Sequence, residues 1–139
     1  MEISDDYKKM FVKEINFVAK KMDESPDAFS KLYYFSGLFG FLHRILNLEF
    51  HPDLVVAHSI LKTTYGDFMT RLQHLVKEPD KTVILTEEQM NKLSSLSKEL
   101  GKKIKNDENI FETLKKFVLL AYSVTGNGFY LMQKGTLKI

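Results

Sequence analysis

Apolar residues recur along this chain at alternating steps of three and four, the spacing of one face of an α-helix, and the stripes are separated by residues that start or stop helices. Ser4 is placed to cap a first helix. Asp5 and Asp6 fall in its first turn, Tyr7, Phe11, Ile15, Val18 and Met22 form its stripe, and Lys20 and Lys21 complement its last turn. In "SPDAF", Ser25 reads as the cap of a second helix, Pro26 as its first residue and Asp27 as its second, with an end near Leu48. "HPDL" then restarts the chain, with Pro52 at the first helical position and Asp53 in the first turn.

The third helix has the most regular pattern. Leu54, His58, Leu61, Tyr65, Phe68, Leu72 and Leu75 alternate four and three, the seam of a helix packed in a bundle, and the helix should stop before Pro79. In "LTEEQM", Thr86 and Gln89 predict a capping box, with Leu85 stapled onto Met90. Met90, Leu93, Leu96, Leu100 and Ile104 follow as a stripe, Lys98, Lys102 and Lys105 form the solvated side, and Gly101 is a point where the helix could shorten. Asp107 is the expected cap of a fifth helix, with Phe111, Leu114, Val118, Ala121 and Tyr122 inward and an end near Gly126, where "TGNG" suits a C-cap. The tail "FYLMQKGTLKI" either continues this helix to about Lys134, which is preferred, or pairs as a strand with "TVILT" at 82–86. The expected fold is therefore an all-α, up-and-down bundle of four to five helices, with residues 1–139 forming one domain.

The stretch from Leu32 to Leu42 carries no charge over 11 residues, and Phe117 to Gln133 none over 17. A membrane span needs about 20 apolar residues. Arg44 closes the first run and Ser123, Thr125, Gly126, Asn127 and Gly128 interrupt the second, so neither is expected to cross a bilayer. A helix apolar on all sides has to be covered on all sides. Only seven charged residues lie between Ala28 and Val76, which predicts a central hairpin of the second and third helices with the first, fourth and fifth outside it. Five helices can hardly enclose one of their own number. The remaining surface, where Ser36, Gly37 and Gly40 permit close backbone approach, predicts a homodimer through the 28–76 hairpin. The alternative is that the first helix and the tail cover Tyr33, Tyr34 and Phe41.

Composition narrows the function classes. With 139 residues the chain is long enough for one core without staples. It has no cysteine, which removes disulfides, thiolate metal sites and cysteine nucleophiles, and suits a reducing compartment. "MEISDDYKKM" contains no apolar h-region, so a cytoplasmic protein without a secretory signal is expected. The net charge is +2 and the isoelectric point about 8.7, and Arg44 and Arg71 are the only arginines, a poor endowment for reading nucleic acid. No P-loop, Gly-x-Ser-x-Gly, Glu-x-x-His or His-x-x-x-His occurs, so no cofactor or metal is expected.

Four residues nonetheless carry candidate chemistry. His58 and Tyr65 lie on the third-helix seam and could line a slot for a small molecule or lipid; the bland alternative for His58 is a neutral core residue with a hydrogen-bond partner. His51 sits two turns before His58, about 10 Å away, too far to share a metal with it. "HPD" at 51–53 resembles the tripeptide of J-domain co-chaperones. The resemblance covers three residues, follows an apolar helix where a J-domain has a basic one, and is explained equally by a proline-led helix start. Arg44 and His51, separated by six residues in "RILNLEFH", resemble the Arg-x(4–6)-His pattern of HEPN-type ribonucleases, which are all-helical domains of about this size. That resemblance implies phosphate stabilisation by Arg44 and acid–base transfer by His51. The polar residue that usually follows the arginine is here Ile45, and Arg44 could instead pair with Glu49 or cap helix carbonyls. The first expectation is a non-enzymatic interaction or scaffold module. An RNA-cleaving domain using Arg44 and His51, or a ligand-binding bundle using His58 and Tyr65, are its alternatives.

Overall fold

A computed structural model describes residues 2–77 and 86–125, the side chains of 74–77 excepted. The described residues form five helices: α1 (Asp5–Glu24), α2 (Ala28–Leu48), α3 (Pro52–Lys77), α4 (Glu87–Lys105) and α5 (Phe111–Thr125). The protein is an all-α bundle. Residues 82–85 and the tail, for which a strand pair is the alternative, lie outside the described residues, as do Gly126, Asn127 and Gly128 of "TGNG"; Thr125 closes the described part of α5.

The helix starts show why these segments form where they do. Ser4 Oγ accepts from the Tyr7 N–H at 3.4 Å. Thr86 and Gln89 make both bonds of the capping box, at 3.1 and 2.9 Å. Ser25, however, ends α1 rather than starting α2: its N–H donates to Met22 O and its hydroxyl to Lys21 O. Asp27 is the true cap of α2, its carboxylate accepting from the Ser30 N–H at 2.8 Å. Asp107 likewise terminates α4 instead of opening α5. It adopts the left-handed conformation at φ 56°, its N–H donates to Ile104 O, and the Glu108 N–H donates to Lys103 O, a Schellman closure. The start of α5 is bound by Asn109, whose side chain accepts from the Phe111 N–H.

The helices close a ring in the order α1, α2, α3, α5, α4 and back to α1. Contacts between the ends give their directions. Lys8 near the start of α1 pairs with Asp107 after the end of α4, so those two run antiparallel. Gln89 at the start of α4 reaches Ser123 near the end of α5, another antiparallel pair. Arg71 late in α3 donates to Val124 O late in α5, so α3 and α5 run parallel. An alternating ring of five must contain one parallel pair, and this is it. The α2–α3 hairpin is accordingly not the central element that the charge distribution predicts: among the described residues α3 packs on α2 and α5 alone, and both hairpin helices are members of the wall.

Phenyl rings fill the interior. Phe35 from α2 and Phe117 from α5 meet across the ring with centroids 6.2 Å apart, and Phe11 and Phe68 are equally buried. Burying each such ring stabilises the fold by roughly 1.5–3 kcal/mol. The stripe of α4 is buried as expected. That of α5 is rotated: Thr113, Leu114, Phe117, Leu120, Ala121 and Val124 face in, while Phe111 and Val118 are exposed and Tyr122 is half-buried. No described helix is long and apolar enough to cross a membrane.

Candidate functional site: the outer face of the second and third helices

The inner face of α2 is supplied by Leu32, Phe35, Leu38, Leu42 and Ile45. The remaining apolar residues of the helix have two fates. Phe41 is covered by α1, its ring meeting Phe11 edge-on at 5.9 Å, and Tyr34 is half-buried. The other flank is not covered by the described residues. Tyr33 is 70% exposed, Phe29 49% and Leu48 66%, with exposed Arg44 among them. A Cβ on Gly40 would meet nothing within 4 Å. Of the alternative, that the first helix and the tail cover Tyr33, Tyr34 and Phe41, α1 does cover Phe41, while the tail lies outside the described residues. A bundle wall has an outside, and α2 presents aromatic and small residues there.

Beside this face, in the groove where α2 meets α3, four rings gather. Phe39 lies edge-on to His58 at 6.4 Å and tilted against Tyr65 at 5.3 Å, and His43 lies 5.6 Å from His58. His58 and Tyr65 thus do come together, around a phenyl ring and half-buried, rather than in the deep seam. The inward positions of α3 are instead Leu54, Ala57, Leu61, Thr64, Phe68 and Leu72. Burial, followed by the charges of His43 and Lys62, holds the His58 imidazole below its ordinary pKa and favours its neutral form.

Arg44 and His51 are not joined by any hydrogen bond or ion pair. Arg44 points outward and has no such partner among the described residues, and Glu49, one of its expected partners, accepts instead from the Ser4 N–H at 2.9 Å. His51 sits where α3 begins. Its Nδ1 accepts from the Asp53 N–H at 3.0 Å, and its carbonyl accepts from the N–H groups of Leu54 and Val55. The Asp53 carboxylate lies 4.0 Å from the same nitrogen. The histidine does the work of a helix cap.

The lysines of α4 stand on its solvated side. Lys98 reaches across to Asp23 of α1 at 2.5 Å, while Lys102 and Lys105 are exposed. Among the described residues no group of three or more histidine, aspartate or glutamate side chains is placed to hold a metal ion.

One feature escapes the stripe patterns. A cleft of about 340 Å³ opens along the parallel α3–α5 seam, lined by Ser59, Thr63, Asp67, Val118 and Tyr122 among others. Burial raises the Asp67 carboxyl above its ordinary pKa, and no charge among the described residues offsets it. Asp67 is a lone acid in a polar stretch of sequence, and nothing in its spacing marks it. Set against family models, curated proteins and solved structures, the chain matches none of them.

Proposed function

We propose that this protein is a non-enzymatic interaction module: a single helical domain, working in the cytoplasm, that dimerises through the outer face of the 28–76 hairpin. The observation that carries this reading is the flank of α2 that the described residues leave uncovered, where Phe29, Tyr33 and Leu48 are exposed. Aromatic side chains at that exposure are the composition of interface cores. Between Ala28 and Leu48 there is no acidic residue, and the two charged side chains have different fates: Lys31 bonds Met22 O, and Arg44 lies on the exposed flank. The lack of cysteine supports the cytoplasmic setting. Light scattering of the purified protein at micromolar concentration tests the proposal; a dimer mass is expected, and a monomer ends it.

A second reading is favoured by the α3–α5 cleft. Ser59, Thr63 and Tyr122 line the cleft together with the half-buried Asp67 carboxylate, and Val118 and Ala121 supply an apolar wall. That combination suits a short alkyl ammonium ion, whose charge would compensate Asp67 and whose carbons would cover Val118. Thermal shift with 1,4-diaminobutane, on wild type and Asp67→Asn, tests it. A rise in Tm confined to wild type is expected, and no rise removes the reading.

A further inference from the structure

The exposed flank of α2 has an internal symmetry that names the geometry of the dimer. Counted outward from the midpoint between Leu38 and Phe39, its residues fall in equidistant pairs: Gly37 with Gly40, Tyr33 with Arg44, Ser30 with Asn47, and Phe29 with Leu48. The six positions 29, 33, 37, 40, 44 and 48 follow steps of four, four, three, four and four, and so lie on one stripe roughly 100° wide. Such a stripe reads the same from both ends in the sense that matters for a two-fold axis: each residue meets its complement.

We infer that two copies of this chain pair through α2 in antiparallel orientation, with the two-fold axis passing over Gly37 and Gly40 and with Tyr33 of each copy lying against Arg44 of the other. This rests on the dimer proposed above and adds its register. At the centre the glycines remove the side chains that normally hold helix axes about 8–10 Å apart. Among the described residues a Cβ on Gly40 would meet nothing within 4 Å, and one on Gly37 would touch Val18 Cγ2 at 3.6 Å, an ordinary contact, so neither glycine is required by packing against them. On each side of the centre the Arg44 guanidinium finds an aromatic face, and it occurs twice by symmetry. At both ends Phe29 and Leu48 bury one another. In a parallel pairing each Arg44 would face the other Arg44, two like charges with no acid on the helix to separate them.

The chain contains no cysteine, which makes cross-linking clean. Phe29→Cys and Leu48→Cys both alter exposed positions, and retained helicity by circular dichroism confirms folding. Across the antiparallel pair, Cys at 29 of one copy is separated from Cys at 29 of the other by about 28 Å along the axis. Each variant alone should therefore stay uncross-linked under mild oxidation, while their equimolar mixture should give a covalent dimer. In wild-type background, Arg44→Ala should weaken the dimer roughly ten-fold, since the pair is lost twice. Arg44→Glu should weaken it further, and adding Tyr33→Arg to Arg44→Glu should restore it. Self-cross-linking of either single variant overturns the antiparallel register. A dimer by light scattering with no cross-link in the mixture places the interface elsewhere and overturns this inference alone, whereas a monomer overturns the dimer itself.

Discussion

A Cβ built on Gly101 of α4 would stand 2.8 Å from Ile15 Cγ2 and 3.4 Å from Ile15 Cβ on α1. The glycine is there because the two helices touch, and Ile15 has no room to withdraw: it is fully buried, and a β-branched side chain in a helix has one strongly preferred rotamer. Gly101→Ala gains about 1 kcal/mol of helix propensity but overpacks this contact at a cost of roughly 1–3 kcal/mol. Net destabilisation of up to about 2 kcal/mol is expected in urea unfolding. Gly66, where a Cβ meets nothing within 4 Å among the described residues, is the control: Gly66→Ala should stabilise the fold by up to about 1 kcal/mol.

Arg71 closes the end of α5. Its Nε donates to Val124 O at 2.7 Å, and α5 has no basic residue of its own in its last turn. A cation at a helix C-terminus offsets the unpaired carbonyls and the negative pole of the dipole. Arg71→Ala should cost about 1–2 kcal/mol and, more diagnostically, speed hydrogen exchange in the last turn of α5 while leaving α1 protected.

His51 offers a cap, and caps can be exchanged. His51→Ala removes the acceptor for the Asp53 N–H and should destabilise by about 1 kcal/mol, whereas His51→Asn supplies another acceptor and should cost far less. The same two variants bear on catalysis. A structural cap predicts that wild type leaves a single-stranded RNA intact and that the variants differ from it only in stability; cleavage by wild type that both variants abolish would give His51 the acid–base role instead.

Much of this architecture could be read from caps and stripes, because both are local. The capping box at Thr86 and Gln89 and the proline start at Pro52 depend on neighbours within one turn, and they hold. Where two local candidates compete, the pattern is silent. Ser25 and Asp27 are both good caps on either side of Pro26, and Ser25 goes to α1 because its hydroxyl reaches back to Lys21 O. Asp107 is ambiguous for a related reason: a polar residue between helices can end one as well as begin the next, and here it ends α4. On α3 the large side chains His58 and Tyr65 draw the eye, but Ala57 and Thr64 take the inward positions because the ring centre is already filled by phenyls. The cleft beside Asp67 and the open flank of α2 depend on which helices are neighbours in the ring, and no single stripe contains that information.

Two carboxylates should pull acid stability in opposite directions. At Asp23, burial raises the pKa, but hydrogen bonds from Lys98 and Ser94 outweigh it and hold the carboxyl below its ordinary value of 3.8. A depressed acid contributes stability that is present above the unfolded pKa and is lost as pH falls through the folded one. At Asp67 burial acts without an offsetting partner among the described residues, and the carboxyl lies above 3.8. The sign reverses: its contribution is full below the unfolded pKa and disappears as pH rises through the folded value. Asp67→Asn should therefore raise Tm at neutral pH, by an amount equivalent to no more than about 0.5 kcal/mol because the group is partly solvated, and the gain should vanish in acid. Asp23→Asn should lower Tm at neutral pH and converge with wild type as the pH falls through the folded-state value, which lies below 3.8. Measuring Tm for the three proteins across this range separates the two carboxylates, since any single loss of charge that acted only through net charge would shift both variants the same way.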